Sequence, residues 1–167
     1  MNTPKSILVA GLTAFVAAPL AHAGSAGETG TANIVAPLNV TSGSELDFGD
    51  VAPDLSAAGT VEIQTDGTKV CGNGITCFDT TPATVATFSV SGFDGSVYNI
   101  VIPSTIDLEG TDTADGHSMT ATLVASKSTG ILTGGSDSFS VGGTLTVGAD
   151  QAPGSYAASF LVSIQYQ

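Results

Sequence analysis

Apolar and polar residues alternate along this chain with a period of two, and the pattern is clearest over residues 155–167. One side of that stretch carries Tyr156, Ala158, Phe160, Val162, Ile164 and Tyr166. The other side is polar or small, apart from Leu161. Because successive side chains of a strand point to opposite faces, this alternation predicts a half-buried β-strand. We expect the strand to reach the final residue and to act in closure of a sandwich or in assembly.

Shorter alternating runs, separated by Gly, Pro and Asp, predict the other strands of the fold. They lie at 32–41, 61–65, 86–90, 98–102, 119–125, 139–141 and 145–147. A turn at 92–96 predicts a hairpin between the strands at 86–90 and 98–102, and residues 104–118 are predicted to form a polar loop. With no apolar residues at helical spacing after residue 23, we expect an all-β, single, Ig-like antiparallel β-sandwich of about eight strands.

The first 23 residues have the features of a secretory signal peptide. Lys5 precedes an apolar run over 7–20, and Ala21-His22-Ala23 forms a small-x-small cleavage pattern. The apolar run is shorter than the ~20 residues of a spanning helix, which favours a signal peptide over a membrane anchor. The sequence therefore predicts a signal peptide (1–23), a flexible leader (24–31) and a β-sandwich domain (32–167). It also predicts export to the periplasm, the cell surface or the extracellular space, with no membrane span in the mature chain.

The exported part of the chain is strongly acidic. Without Lys5, two basic residues, Lys69 and Lys127, stand against 15 acidic ones, for a formal net charge of −13. Nucleic-acid binding depends on Lys and Arg neutralising phosphates, so this composition excludes that class of partner. Such acidity indicates a soluble, self-repelling protein but specifies no ligand.

Two cysteines, Cys71 and Cys77, enclose Gly-Asn-Gly-Ile-Thr. In an exported chain, a close pair of this kind predicts a disulfide, here at the tip of a loop. A zinc site would need four ligands, and a redox site is typified by Cys-x-x-Cys, so neither is predicted.

The catalytic inventory is nearly empty. His117 is the only histidine of the exported part and would have to pair with Asp112 or Asp115 for acid–base or metal chemistry. Asp-Gly-His in a polar stretch is, however, typical of a turn. We therefore expect no enzyme activity, no catalytic residue and no cofactor.

The stretch 104–118 also carries four acidic oxygen donors: Asp107, Glu109, Asp112 and Asp115. Their spacing does not match the Asp-x-Asp-x-Asp-Gly calcium loop, so the sequence favours a solvated acidic loop and no metal site.

The segment 32–41 sets a sharper question. Its alternation predicts a strand, with Ala32, Ile34, Ala36, Leu38 and Val40 on one side and Asn33, Val35, Pro37, Asn39 and Thr41 on the other. Pro37 cannot donate a ladder hydrogen bond and therefore indicates an edge strand or a bulge. If this segment pairs within its own chain, the domain is self-contained. If this segment instead inserts into a groove of a neighbouring copy, the terminal strand lines the groove that the inserted segment occupies. We therefore predict eight residues in assembly strands: Ile34, Leu38, Val40, Tyr156, Phe160, Val162, Ile164 and Tyr166.

Segments at both ends of the domain resemble a family of secreted bacterial proteins. They are Pro37-Leu-Asn-Val40, Leu46-Asp-Phe-Gly-Asp-Val-Ala-Pro53, Gly142-Gly-Thr-Leu-Thr-Val-Gly-Ala149, Pro153-Gly-Ser-Tyr156 and Val162-Ser-Ile-Gln-Tyr166. Residues 88–92 and 98–103 fit the same pattern. On these segments the chain is identified as a member of the domain-of-unknown-function 4402 family, which implies no particular activity.

The Leu46-x-Phe-Gly49 segment and the Gly-x-Tyr-led terminal strand are also similar, more distantly, to spore-coat-U-type pilins of chaperone–usher systems. That likeness implies a pilin-like sandwich completed by a neighbour's strand, a periplasmic chaperone as partner and a Gram-negative host. The chain departs from those pilins in two respects: its cysteines are placed differently, and its leader, 24–31, lacks alternating apolar residues.

The alternation of apolar and polar residues, the scarcity of catalytic side chains and the family resemblances together predict a non-catalytic exported structural protein. We expect a cell-surface or fimbria-like subunit that assembles with itself or with homologous subunits by β-strand addition. The alternative is a monomeric secreted binding module, for glycan or calcium, that uses the acidic 104–118 loop.

Overall fold

A computed structural model of the chain describes residues 25–78 and 80–167. In that part of the chain it contains thirteen strands and a single 3-10 turn at Asp112–Ala114. In chain order, the strands are β1 (Asn39–Ser42), β2 (Val51–Pro53), β3 (Gly59–Ile63), β4 (Lys69–Cys71), β5 (Ile75–Cys77), β6 (Ala86–Ser91), β7 (Val97–Val101), β8 (Thr105–Thr111), β9 (Ser118–Ala125), β10 (Thr129–Ile131), β11 (Ser136–Val147), β12 (Ser155–Ala157) and β13 (Ser163–Tyr166).

The larger sheet is built around the long strand β11. Its order is β1-β6-β11-β9-β8-β12, and β3 also pairs with β11 and with β4. The first half of β11 pairs with β6 and the second half with β3. Gly142 and Gly143 lie where the partner changes; a side chain at Gly142 would overlap the Ile63 carbonyl, and one at Gly143 would come within 2.8 Å of the Thr122 carbonyl. These glycines therefore allow close approach of the neighbouring strands, and the runs predicted at 139–141 and 145–147 form one strand.

Two smaller groups of strands cover the inner face of this sheet. One is a three-stranded sheet of order β10-β7-β13, and the other is the antiparallel pair β2–β5. One core cluster contains Ala86, Val90, Tyr98, Ile100, Leu123, Leu132, Phe139 and Val141. The second contains Phe48, Val61, Ile63, Leu108, Met119, Ala121, Leu145 and Val147. The predicted all-β antiparallel sandwich is thus confirmed, within one compact unit at Ile34–Gln167.

Two local predictions are wrong. The strands at 86–90 and 98–102 do not form a hairpin, because β6 pairs with β1 and β11, whereas β7 pairs with β10 and β13 in the facing sheet. Both strands bury alternate side chains toward the same core, so their alternation is equally compatible with facing positions.

The predicted polar loop 104–118 is largely the strand β8, which pairs with both β9 and β12. Leu108 is buried and Ile106 half-buried, while Asp107 and Glu109 point outward. The acidic loop on which the alternative function depended is therefore mostly sheet.

The terminal stretch follows the predicted alternation but is not one strand. Its predicted inner positions are half-buried, except Ala158, and all positions of the other side are exposed. The stretch contains β12, which belongs to the larger sheet, and β13, which belongs to the three-stranded sheet. The chain changes sheets between them, over residues 158–162, without changing which side faces the core.

The predicted disulfide is present: Cys71, at the end of β4, is bonded to Cys77, at the end of β5. It joins the larger sheet to the β2–β5 pair across a turn in which Gly74 has φ +77°. The predicted signal peptide, 1–23, lies outside the described residues, and the part of the predicted leader that is described, 25–31, contains no helix or strand. No helix among the described residues is both long and apolar enough to span a membrane.

Candidate functional site

The C-terminal stretch presents backbone groups that have no strand partner. Residues 158–162 make no backbone–backbone hydrogen bond within the described chain, although strands flank them on both sides. β13 pairs with β7 on one side only, so its other side is an edge of the three-stranded sheet. We call residues 158–166 the terminal edge. Unpaired N–H and C=O groups along such an edge are a template for the addition of another strand.

Packing fixes the terminal edge in place although its backbone is unpaired. Phe160 meets the ring of Phe88 edge-on, with ring centroids 6.3 Å apart, and Phe88 stacks on Phe139 at 5.2 Å. Val162 and Ile164 pack against the same core cluster. Side chains therefore hold the stretch against the larger sheet while its hydrogen-bonding groups remain available.

The segment that precedes β1 is also without strand partners. Residues 34–38, which we call the arm, make no backbone–backbone hydrogen bond in the described chain. Ile34 is 96% exposed, whereas Leu38 is half-buried against the core cluster. The segment predicted over 32–41 is therefore divided: β1 pairs internally with β6, at the edge of the larger sheet, and the arm does not pair. Neither β1 nor the arm pairs with β12 or β13.

One side chain connects the arm to the terminal edge. The Tyr166 hydroxyl donates a hydrogen bond to the Ala36 carbonyl at 2.9 Å and accepts one from the Phe93 N–H at 2.7 Å. The arm, the terminal edge and the turn that follows β6 consequently meet at one place.

A partly buried polar network lies behind the three-stranded sheet. The Tyr98 side chain is fully buried, and its hydroxyl donates to Asp137 Oδ2 at 2.9 Å. Lys127 Nζ donates to both oxygens of the same carboxylate at 2.7 Å. Burial, followed by the hydrogen bond to Asp137, raises the pKa of Tyr98. Partial burial opposes ionisation of Asp137, but hydrogen bonds from Lys127, the Ser138 N–H and Tyr98 lower its pKa overall. The network ties β7 to β11 across the two sheets.

A cavity of about 520 Å³ lies in the other half of the sandwich. Its apolar lining includes Leu46, Phe48, Val51, Leu108, Met119 and Tyr156. Two carboxylates also line it. Asp47 accepts a hydrogen bond from the Gly49 N–H, and hydrogen bonds from the Thr80 and Thr81 hydroxyls lower the pKa of Asp50. Both carboxylates are engaged in hydrogen bonds within their loops, and polar and apolar atoms contribute about equally to the surface of the cavity.

The candidate residues for catalysis or metal binding lie along one stretch, from Asp107 in β8 to His117, just before β9. His117 is exposed, its carbonyl accepts a hydrogen bond from the Gly110 N–H, and Gly116 has φ +82°, as in the predicted turn. Asp107 accepts a hydrogen bond from the Thr120 hydroxyl on the outer face of the larger sheet. Within 25–78 and 80–167, no three His, Cys, Asp or Glu side chains are grouped so that they could hold a metal ion.

The structure brings most of the predicted assembly residues together. Leu38, Val40, Phe160, Val162, Ile164 and Tyr166 all pack against one core cluster. Tyr156 packs against the other cluster, and Ile34 is exposed. The pattern missed the role of Ala36, whose carbonyl gives no signal in sequence. It did single out Leu161, the one apolar residue on the polar side, which is 78% exposed on the terminal edge.

Comparison with known families identifies the family of the chain. A family model described as "Domain of unknown function (DUF4402)" matches residues 38–166, from the last residue of the arm to Tyr166. No curated protein and no solved structure matched the chain. Since the match covers well over half of the sequence, the chain belongs to the DUF4402 family.

Proposed function

We propose that this protein is a non-catalytic exported structural subunit, of a cell-surface or fimbria-like kind, and that copies of it associate by β-strand addition at the terminal edge. The observation that carries this proposal is the run of unpaired backbone over 158–162, held against the core by its side chains. Every N–H and C=O that finds a strand partner there contributes to association, as in other cases of strand addition.

The distribution of charge supports the terminal edge as the surface through which copies associate. In a chain with a formal charge of −12, residues 29–44 and 151–167 contain no Asp, Glu, Lys, Arg or His. These two uncharged segments include the arm and the terminal edge. Proteins that must avoid edge-to-edge pairing place charged residues, above all Lys, on their edge strands. The terminal edge lacks this protection, which favours a role in pairing.

The arm of a second copy suits the terminal edge as the added strand. It has an uncharged sequence, Ile34 and Val35 are exposed, and its backbone is unpaired. Transfer of Ile34 and Leu161, which is also exposed, from water into a contact would add hydrophobic stabilisation of about 25 cal/mol per Å² of apolar area removed from water. A periplasmic chaperone that covers the terminal edge before assembly would fit the same chemistry.

Salt dependence gives a test of this function. Exported copies, each with a formal net charge of −13, repel each other. Raising salt from about 0.01 M to about 0.15 M shortens the screening length from about 30 Å to about 8 Å. We therefore expect the purified exported protein to form oligomers faster at the higher salt concentration. Light scattering would follow the rate, and electron microscopy and SDS-resistant bands would identify the product. A monomer that persists at every salt and protein concentration would contradict the proposal.

A further inference from the structure

We propose that Tyr166 is a latch: its hydroxyl holds the arm against its own domain and thereby slows the transfer of the arm to a second copy. This inference rests on the proposed function for its consequence, but its first part concerns a single chain. The latch is the pair of hydrogen bonds that join the Tyr166 hydroxyl to the Ala36 carbonyl and to the Phe93 N–H.

The position of Tyr166 makes it decisive for the arm. Tyr166 pairs with Tyr98 in β13, so its backbone is fixed in the three-stranded sheet. β1 begins at Asn39, which pairs with Ser91 near the same turn. The Tyr166 hydroxyl is the one hydrogen-bond donor to the arm's backbone among the described residues. Loss of that bond leaves the arm attached to the domain mainly through Leu38.

Gly92 makes room for the latch. A side chain at Gly92 would overlap the Tyr166 hydroxyl, and it would come within 2.9 Å of Leu132 Cδ1 and 3.1 Å of Leu38 Cδ1. Gly92→Ala is therefore expected to displace the Tyr166 hydroxyl and to weaken its hydrogen bond to the Ala36 carbonyl. Two substitutions that share no atoms thus predict the same change in the arm.

The chain offers a closely matched control. Tyr156 was predicted as an assembly residue, but it lies in β12, outside the terminal edge, and packs against the other core cluster. It is half-buried like Tyr166, and its hydroxyl also donates to a backbone carbonyl, that of Ala152, while it accepts from Gln151 Nε2. Tyr156→Phe removes an equivalent hydroxyl without touching the arm.

The first experiment measures the arm in the monomer. The chain contains no Trp, so Ile34→Trp, at an exposed position, introduces a single Trp whose fluorescence can be excited selectively over that of the three tyrosines. We expect Tyr166→Phe to lower the fluorescence anisotropy of this Trp, and Gly92→Ala to do the same, while Tyr156→Phe leaves it unchanged. Equal anisotropy with and without the Tyr166 hydroxyl would overturn the latch, whether or not the protein assembles.

The second experiment measures assembly at matched protein and salt concentrations, without the Trp reporter. A net hydrogen-bond contribution of the usual size corresponds to an assembly rate about two- to tenfold higher in Tyr166→Phe than in the wild type. Tyr156→Phe is expected to assemble at the wild-type rate. A Tyr166→Phe chain that assembles at the wild-type rate or more slowly would overturn the regulatory role. A wild-type chain that never assembles would instead refute the proposed function, and the anisotropy measurement would still decide whether Tyr166 holds the arm.

Discussion

Replacing Leu161 by Lys is expected to slow assembly by about tenfold or more. A tenfold change corresponds to about 1.4 kcal/mol, and an ammonium group brought into an apolar contact without a partner costs more than that. Lys is also the residue that natural edge strands use to prevent pairing. Since Leu161 is 78% exposed, the folded monomer should tolerate the change, and light scattering would measure the effect on assembly.

Val124→Lys provides the control for this experiment. Val124 is also a large exposed apolar residue, at 59%, but it lies on β9, between β11 and β8 in the larger sheet. The two variants change net charge equally, so a difference between them reports the location of the charge. Equal assembly rates for Leu161→Lys and Val124→Lys would contradict the assignment of the terminal edge.

Asp137→Ala is expected to lower the free energy of unfolding by about 2–4 kcal/mol. The change leaves the buried Tyr98 hydroxyl without its acceptor and Lys127 without its ion-pair partner. An unsatisfied buried polar group costs about 1–3 kcal/mol, and breaking an ion pair by removal of one partner adds to this. Urea unfolding followed by circular dichroism would measure the loss.

Asp107→Ala is the matched comparison, because it removes the same charge from an exposed carboxylate that accepts one hydrogen bond from Thr120. We expect its effect to stay below about 1 kcal/mol. The contribution of Asp137 also depends on pH. Since its pKa in the folded protein lies below the ordinary value of 3.8, the stabilisation is present above that value and disappears as the pH falls through the folded pKa. An Asp137→Ala variant as stable as Asp107→Ala would contradict the role given to the network.

The sequence predicted which side chains face the core better than it predicted which strands pair. Alternation follows from burial on one face, so the inner positions of the terminal stretch were assigned correctly even where the strand is interrupted. The same alternation does not specify a partner, which is why the hairpin predicted between 86–90 and 98–102 is wrong. In β8, the polar residues of the outer face outnumber the two large apolar residues of the inner face, Ile106 and Leu108. The composition of this strand therefore resembles that of a loop, and a loop was predicted.

The apolar side chains of the candidate site could be predicted from the sequence, but its unpaired backbone could not. Apolar residues such as Phe160 and Val162 are visible in the sequence, and they do meet in one cluster. The unpaired backbone of 158–162 is not visible, since every residue there carries the same N–H and C=O groups. The contact of Tyr166 with Ala36 joins residues 130 positions apart, and no local pattern encodes it.

Hydrogen exchange at residues 158–162 tests strand addition most directly. Their amides make no backbone hydrogen bond within the described chain, so in the monomer they are expected to exchange rapidly. In assembled protein, we predict that peptides covering 158–162 and the arm become protected to the level of β9, whose own exchange stays unchanged. Assembled protein in which residues 158–162 still exchange as fast as in the monomer would contradict the account.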